Sequence, residues 1–290
     1  MARRPTAAGV AAAVACALST MIAACATMAP PKAPDGPWTA DPDGAAILES
    51  ATAPCRGVRT LTAEIAVRGR VGGSHLRGRV LAGFERGGSL RLEAPAPFGA
   101  PIFILTARQN RATLWLPRDR RILRDAPVED VLAAIVGLRR SSDDLLGLLS
   151  GCLIATTSAA PGDVRRNGTG WLMAALPDDT TAFLTRDGST WRLRAGHRAA
   201  ASGVSSWSAS YERFAGAFPD LVRIWTGPSA GDATAGAVMS LEVSQRDTNT
   251  GVDPRAFDAV TAKDATAMTL DELRRTGPLA DRTGGAGSGS

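Results

Sequence analysis

The stretch SLRLEAPAPFGAPIFIL, residues 89–105, decides how the chain folds. Leu90 and Leu92 alternate with Arg91 and Glu93. A period of two puts the leucines on one face of a strand and the charges on the other. The proline-rich run at 94–101 breaks the strand, and Pro97-Phe98-Gly99 marks a turn. IFILTA at 102–107 follows as a nearly all-apolar strand, then ATLWLP at 112–117 as another. Upstream, Leu61, Ala63, Ile65 and Val67 alternate with Thr60, Thr62, Glu64 and Arg68. Gly72-Gly73 supplies a turn, Val80, Ala82 and Phe84 alternate with Arg79 and Glu85, and Gly87-Gly88 supplies the next. Strands at this spacing with glycine turns predict an antiparallel meander.

Downstream the period changes. Val128, Val131, Leu132 and Ile135 follow helical spacing, with Asp125 and Pro127 near the start. Ser141 is placed to cap a second helix, with Asp144 three residues on, Leu145, Leu148 and Leu149 on one face, and Gly151 closing it. The period of two then returns at 171–176, 182–185, 191–194, 204–214, 221–226 and 238–245. Thr269 and Glu272 form a capping box for a last helix, LDELRR. Residues 45–52 are a short helix candidate. The expectation is one mainly β (α+β) domain at 45–279, of about ten strands with a helical insert.

The ends of the chain point to the envelope. Arg3 and Arg4 precede an uncharged, alanine-rich run at 6–24, the plan of a secretory signal. It ends in IAACA at 22–26, which resembles the bacterial lipobox. That resemblance implies cleavage after residue 24 and a diacylglycerol on Cys25, with further acylation of the new amine. Two or three chains make a durable anchor where one does not. Plain cleavage near Ala26 or Ala29, leaving a soluble protein, is the alternative. In lipoproteins of this type an aspartate after the cysteine favours inner-membrane retention; here the residue is Ala26, which favours the outer membrane, facing the periplasm. Residues 25–44, rich in Pro, Ala and Asp, read as a flexible tether. Residues 280–290, rich in Gly and Ser, read as a disordered tail.

The formal charge of +5 falls to +3 once Arg3 and Arg4 leave with the signal. The basic residues are scattered among acidic ones, which argues against a nucleic-acid partner. Cysteines stand at 16, 25, 55 and 152. With Cys16 removed and Cys25 capped, Cys55 and Cys152 remain as an even pair in an oxidising compartment. A Cys55–Cys152 disulfide is expected, with two buried free thiols as the other possibility. Neither cysteine has a second metal ligand nearby in sequence.

Taken together, AVRGRV at 66–71, SLRLEAPAPFGAPIFIL, ATLWLP, IVGL with DDLLGLLSGC, and VDPRAFDAV at 252–260 resemble the LolA/LolB superfamily of bacterial lipoprotein carriers and receptors, nearer its lipid-anchored, LolB-like branch. The resemblance covers most of 55–275. It implies a single open, strongly curved antiparallel sheet, a half-barrel whose concave face is covered by helices and whose cavity takes acyl chains. Candidate lining residues are then Leu61, Ile65, Leu90, Leu92, Ile102, Ile104 and Leu114 on the sheet, and Val131, Ile135, Leu145 and Leu149 on the helices. For each of them ordinary core packing is the simpler role. Phe98, by its turn position, is the candidate for membrane contact. The expected partners are membrane lipid through the anchor, the acyl chains of lipoproteins or lipids, and a periplasmic carrier protein. The alternative function is a structural or regulatory envelope lipoprotein that binds a protein partner through the same fold.

Nothing in the sequence favours an enzyme. His75 lies beside a glycine turn and His197 in RAGHRAA, neither in a nucleophile motif. Asp143-Asp144 and Asp178-Asp179 read as helix and turn starts, and Trp171, Trp191 and Trp207 as core or sheet surface. No cofactor or metal is expected beyond the lipid on Cys25.

Overall fold

Strands β2 (Thr60–Val71) and β3 (Ser74–Glu85) pair over twelve residues each, Thr60 opposite Glu85 and Val71 opposite Ser74. The long hairpin follows from the alternation in both strands: Leu61, Ala63, Ile65 and Val67 are buried, and so are Val80, Ala82 and Phe84. The computed structural model describes residues 30–71, 74–153, 164–176, 179–200, 206–227 and 236–276. The expected signal, Cys25 and the tail at 280–290 lie outside the described residues, as do residues 204–205 of an expected strand.

From the hairpin the sheet grows both ways. On one side follow β4 (Ser89–Ala94), β5 (Phe103–Arg108), β6 (Arg111–Leu116) and β7 (Arg121–Pro127). On the other, β14 (Ala237–Thr248) pairs with β2, and β13 (Phe218–Thr226), β12 (Trp207–Ala215), β11 (Thr190–Arg198), β10 (Thr180–Asp187), β9 (Leu172–Ala175) and β8 (Val164–Asn167) follow outward. The edges are β1 (Trp38–Ala40), antiparallel to β8, and β15 (Thr266–Ala267), parallel to β7. The edge strands do not meet, so the sheet is open, and every neighbouring pair but β7–β15 is antiparallel.

The described residues thus hold fifteen strands, not about ten. Three of the unforeseen strands, β1, β8 and β15, have two to four residues, too few for alternation to show. β1 falls within the stretch read as a tether. β7 was hidden differently: its pairing with β6 slips between Ala112 and Leu114, and Asp125 takes a positive φ of 53°. Those irregularities break the period of two.

Among the described residues four helices accompany the sheet: α1 (Gly44–Arg56), α2 (Val128–Val136), α3 (Ser142–Ser150) and α4 (Leu270–Thr276). The α3 start is as its sequence predicts, with Ser141 Oγ accepting from Asp144 N at 3.1 Å. The α4 start is a reciprocal box: Glu272 Oε2 accepts from Thr269 N at 2.7 Å, and Thr269 Oγ1 accepts from Glu272 N at 3.3 Å. The leucines, valines and isoleucines of α2 and α3 join one apolar core with the inner sides of the strands. The opposite face of β4 and β5 is covered by the 3₁₀ turn Pro254–Phe257, whose Phe257 is buried. Coverage on both sides explains why Phe103 to Ala107 are all buried and why that stretch reads as apolar rather than alternating.

Candidate functional site

Between the inner sheet face and the α2–α3 pair lies a cavity of ≈ 60 Å³. Its walls are Ile65, Val67, Val80, Phe84, Leu92, Phe103, Met239 and Leu241 from the sheet. Leu132, Ile135, Val136, Leu138, Leu145 and Leu149 close it from the helices and the loop between them. It exposes no polar atom. Larger hollows lie elsewhere, but they are mixed in character. One of ≈ 440 Å³ is lined by Glu64, Arg91, Glu93 and Asp247 among others, and one of ≈ 240 Å³ beside Cys55 includes Arg192 and several hydroxyls.

Ile65, Leu92, Ile135, Leu145 and Leu149 stand where the sequence expected lining residues. The other six expected there do not line the cavity. Leu61, Leu90, Leu114 and Val131 are fully buried in the core around it, and Ile102 is half-buried just before β5. Ile104 follows Phe103 in the strand, so it points to the opposite face. The walls the sequence left unassigned include Met239 and Leu241 of β14. Their alternation was visible, but their place beside β2 is not, because Leu241 meets Val67 across more than 170 residues.

The helical cover has an apolar middle and polar fastenings at its rim. Asp143 Oδ1 accepts from the backbone N–H of Gly87 at 3.0 Å and of Gly88 at 3.3 Å. Asn110 Oδ1 accepts from Ser142 N at 3.1 Å, and Thr226 Oγ1 donates to the Gly137 carbonyl at 3.3 Å. Gly137 and Gly151 end the two helices at φ of 67° and 95°, left-handed conformations that side-chain-bearing residues adopt at a cost.

Directly after Gly151, Cys152 is bonded to Cys55 in the last turn of α1, with the two Cα atoms 5.7 Å apart. The disulfide ties the far end of the cover to α1. Tyr211 Oη donates to the Cys152 carbonyl at 2.9 Å. Burial pushes the Tyr211 phenol far above its ordinary pKa, so it stays a donor across the physiological range.

Phe98 is 89 % exposed at the tip of the β4–β5 loop. Arg118 donates to the Phe98 and Ala100 carbonyls at 3.3 and 3.4 Å and so steadies that loop. His197 Nδ1 meets Ser208 Oγ at 2.9 Å across paired strands, and among the described residues no carboxylate contacts its ring. Among the described residues there is no group of three His, Cys, Asp or Glu side chains placed to hold a metal, and no helix long and apolar enough to cross a membrane.

No family model matches the chain, and a search of curated proteins finds no match. Among solved structures, the chain is similar to a LolA superfamily protein from Nitrosomonas europaea, at 14% identity and a TM-score of 0.44 over 73% of this chain and 96% of that one. It is also similar to a DUF1329 family protein from Desulfovibrio piger, at 10% identity and a TM-score of 0.44 over 71% and 92%. A third is the lipoprotein LppX of Mycobacterium tuberculosis, at 14% identity and a TM-score of 0.29 over 73% and 98%. The first of these belongs to the superfamily the sequence resembles.

Proposed function

We propose that the protein is a lipid-anchored envelope lipoprotein that holds an acyl chain between its inner sheet face and the α2–α3 cover. The supporting observation is the cavity at that seam, walled by side chains from five strands and two helices without a polar atom. Anchoring through Cys25, a place on the outer membrane and a role in localising lipoproteins or lipids belong to the same proposal, and rest on the signal-like N-terminus.

At ≈ 60 Å³ the cavity is closed to its ligand. For scale, an apolar cavity of about 150 Å³ takes up a single benzene. An acyl chain therefore enters only as α2 and α3 swing away from the sheet. The inner contacts of the cover are apolar and non-directional, and the rim hydrogen bonds and the two glycine ends are where it can pivot. Ten methylenes leaving water contribute about 8 kcal/mol. That is enough to offset several lost side-chain contacts and a few rim hydrogen bonds of about 1 kcal/mol each.

The small volume also favours a second reading, in which the core stays filled and the protein acts on a protein partner through its outer surface. Native mass spectrometry of the chain purified from membranes separates the two, combined with displacement of a fluorescent apolar probe by fatty acids. The acyl-binding reading expects adducts of fatty-acyl mass and stoichiometric displacement. Empty protein that takes up no probe supports the filled core and removes the proposal.

A further inference from the structure

The β2–β3 hairpin carries an uncompensated patch of positive charge. On the face away from the cavity, Arg68 stands opposite Arg77, and Arg70 opposite His75. All four are exposed. Like charges directly opposite each other destabilise a hairpin. The carboxylates that flank this end of the hairpin are already engaged: Glu64 of β2 with Arg79 at 3.0 Å, Glu93 of β4 with Arg91 at 2.7 Å, and Glu242 of β14 with Arg213 at 2.8 Å, while Glu85 and Asp247 stand toward its far end. Among the described residues the side chains of Arg68, Arg70 and Arg77 have neither an ion pair nor a hydrogen-bond partner.

We infer that this end of the hairpin docks on the phosphate headgroups of an anionic bilayer. Guanidinium groups match phosphate oxygens in a bidentate fork, which suits three of them on one short surface. The position favours a membrane over an acidic protein. β4 pairs with β3 only from Leu81 onward, so Ser74 to Val80 project past it. Because neighbouring strands run antiparallel, the loop bearing exposed Phe98 leaves β4 at this same end of the sheet. Cations and an exposed aromatic ring at one end of a sheet form a composition that suits a membrane interface. The inference rests on the proposed function only in that the anchor brings the domain near a bilayer.

The test is co-sedimentation with vesicles of a chain that begins at Pro30, which keeps every described residue and needs neither a lipidated Cys25 nor a bound acyl chain. Vesicles of phosphatidylcholine mixed with phosphatidylglycerol should carry the domain down at low salt and release it at high salt, while pure phosphatidylcholine should not retain it. Combining Arg68→Glu, Arg70→Glu and Arg77→Glu should weaken binding on the order of a hundredfold. Arg59→Glu, at the other end of β2, should leave it nearly unchanged. Arg77→Glu alone should weaken binding yet melt at the same temperature or higher, since it removes a like-charge pair, which distinguishes lost docking from lost folding. Equal binding to both compositions, unchanged binding of the triple variant, or a domain that stays in the supernatant throughout overturns the proposal. The last result is the one expected if the arginines serve an acidic protein. None of these outcomes bears on whether fatty acids displace the apolar probe.

Discussion

Replacing Cys55 and Cys152 together with alanine is expected to lower the stability of the fold by about 4–5 kcal/mol. The bond closes a loop of 97 residues. Constraining an unfolded chain over about 100 residues contributes about 4.7 kcal/mol in the loop-entropy model. Both sulfurs are buried, so alanine leaves no unsatisfied polar group, and the loss reads mainly the cross-link. The bond also fixes the end of α3 to α1, next to the carbonyl that Tyr211 holds. Without it the cover has lost a covalent fastening, and an apolar probe should enter faster. Urea midpoints of the parent and variant measure the first effect, and stopped-flow probe uptake the second. A loss below about 1 kcal/mol with unchanged uptake would mean that the two helices are held by packing alone.

Leu149→Ala is expected to do two opposite things. Leu149 is buried on α3 and lines the cavity. Truncating a buried leucine costs about 3–5 kcal/mol when the space does not collapse. The same truncation enlarges a dry cavity that is too small for its ligand, so less of the cover must move to admit an acyl chain. Affinity for a fatty-acid probe should therefore rise about tenfold while stability falls, one factor of ten being about 1.4 kcal/mol. Leu81→Ala is the comparison: Leu81 is 45 % exposed and outside this cavity, and should change stability by about 0.5 kcal/mol or less and affinity not at all. Denaturant titration and probe titration on the same preparations check both arms. Tighter binding in a less stable protein is hard to obtain if the ligand sits anywhere else.

The sequence and the structure agree most closely where one short-range pattern determines the outcome. Alternation placed β2 to β4, apolar runs between turns placed β5 and β6, and the helical spacing of Val128, Val131, Leu132 and Ile135 placed α2. Ser141 and Thr269 marked helix starts because a cap is a contact over three residues. What was not legible depends on long-range pairing. β1, β8 and β15 exist because an edge was available, and their own residues carry almost no signal. The apolar run at 102–107 illustrates the same limit. It was plainly a strand, but Ile104 was assigned to the cavity because nothing local reveals that Phe257, about 150 residues away, covers the other side. The lining was likewise half readable: Ile65 and Leu92 alternate in place, whereas Met239 and Leu241 join them only through the β14–β2 pairing.

The central claim, an acyl chain lodged under the two helices, is tested most directly by photo-crosslinking. A fatty acid bearing a diazirine along its chain is bound to the protein, irradiated, and the labelled residues are mapped by mass spectrometry. The expected labels fall on Ile65, Leu92, Phe103, Leu132, Leu149 and Met239, from both walls of the cavity. Labels confined to the outer surface, at Phe98 or Leu81, or no competition by unlabelled fatty acid, would contradict it.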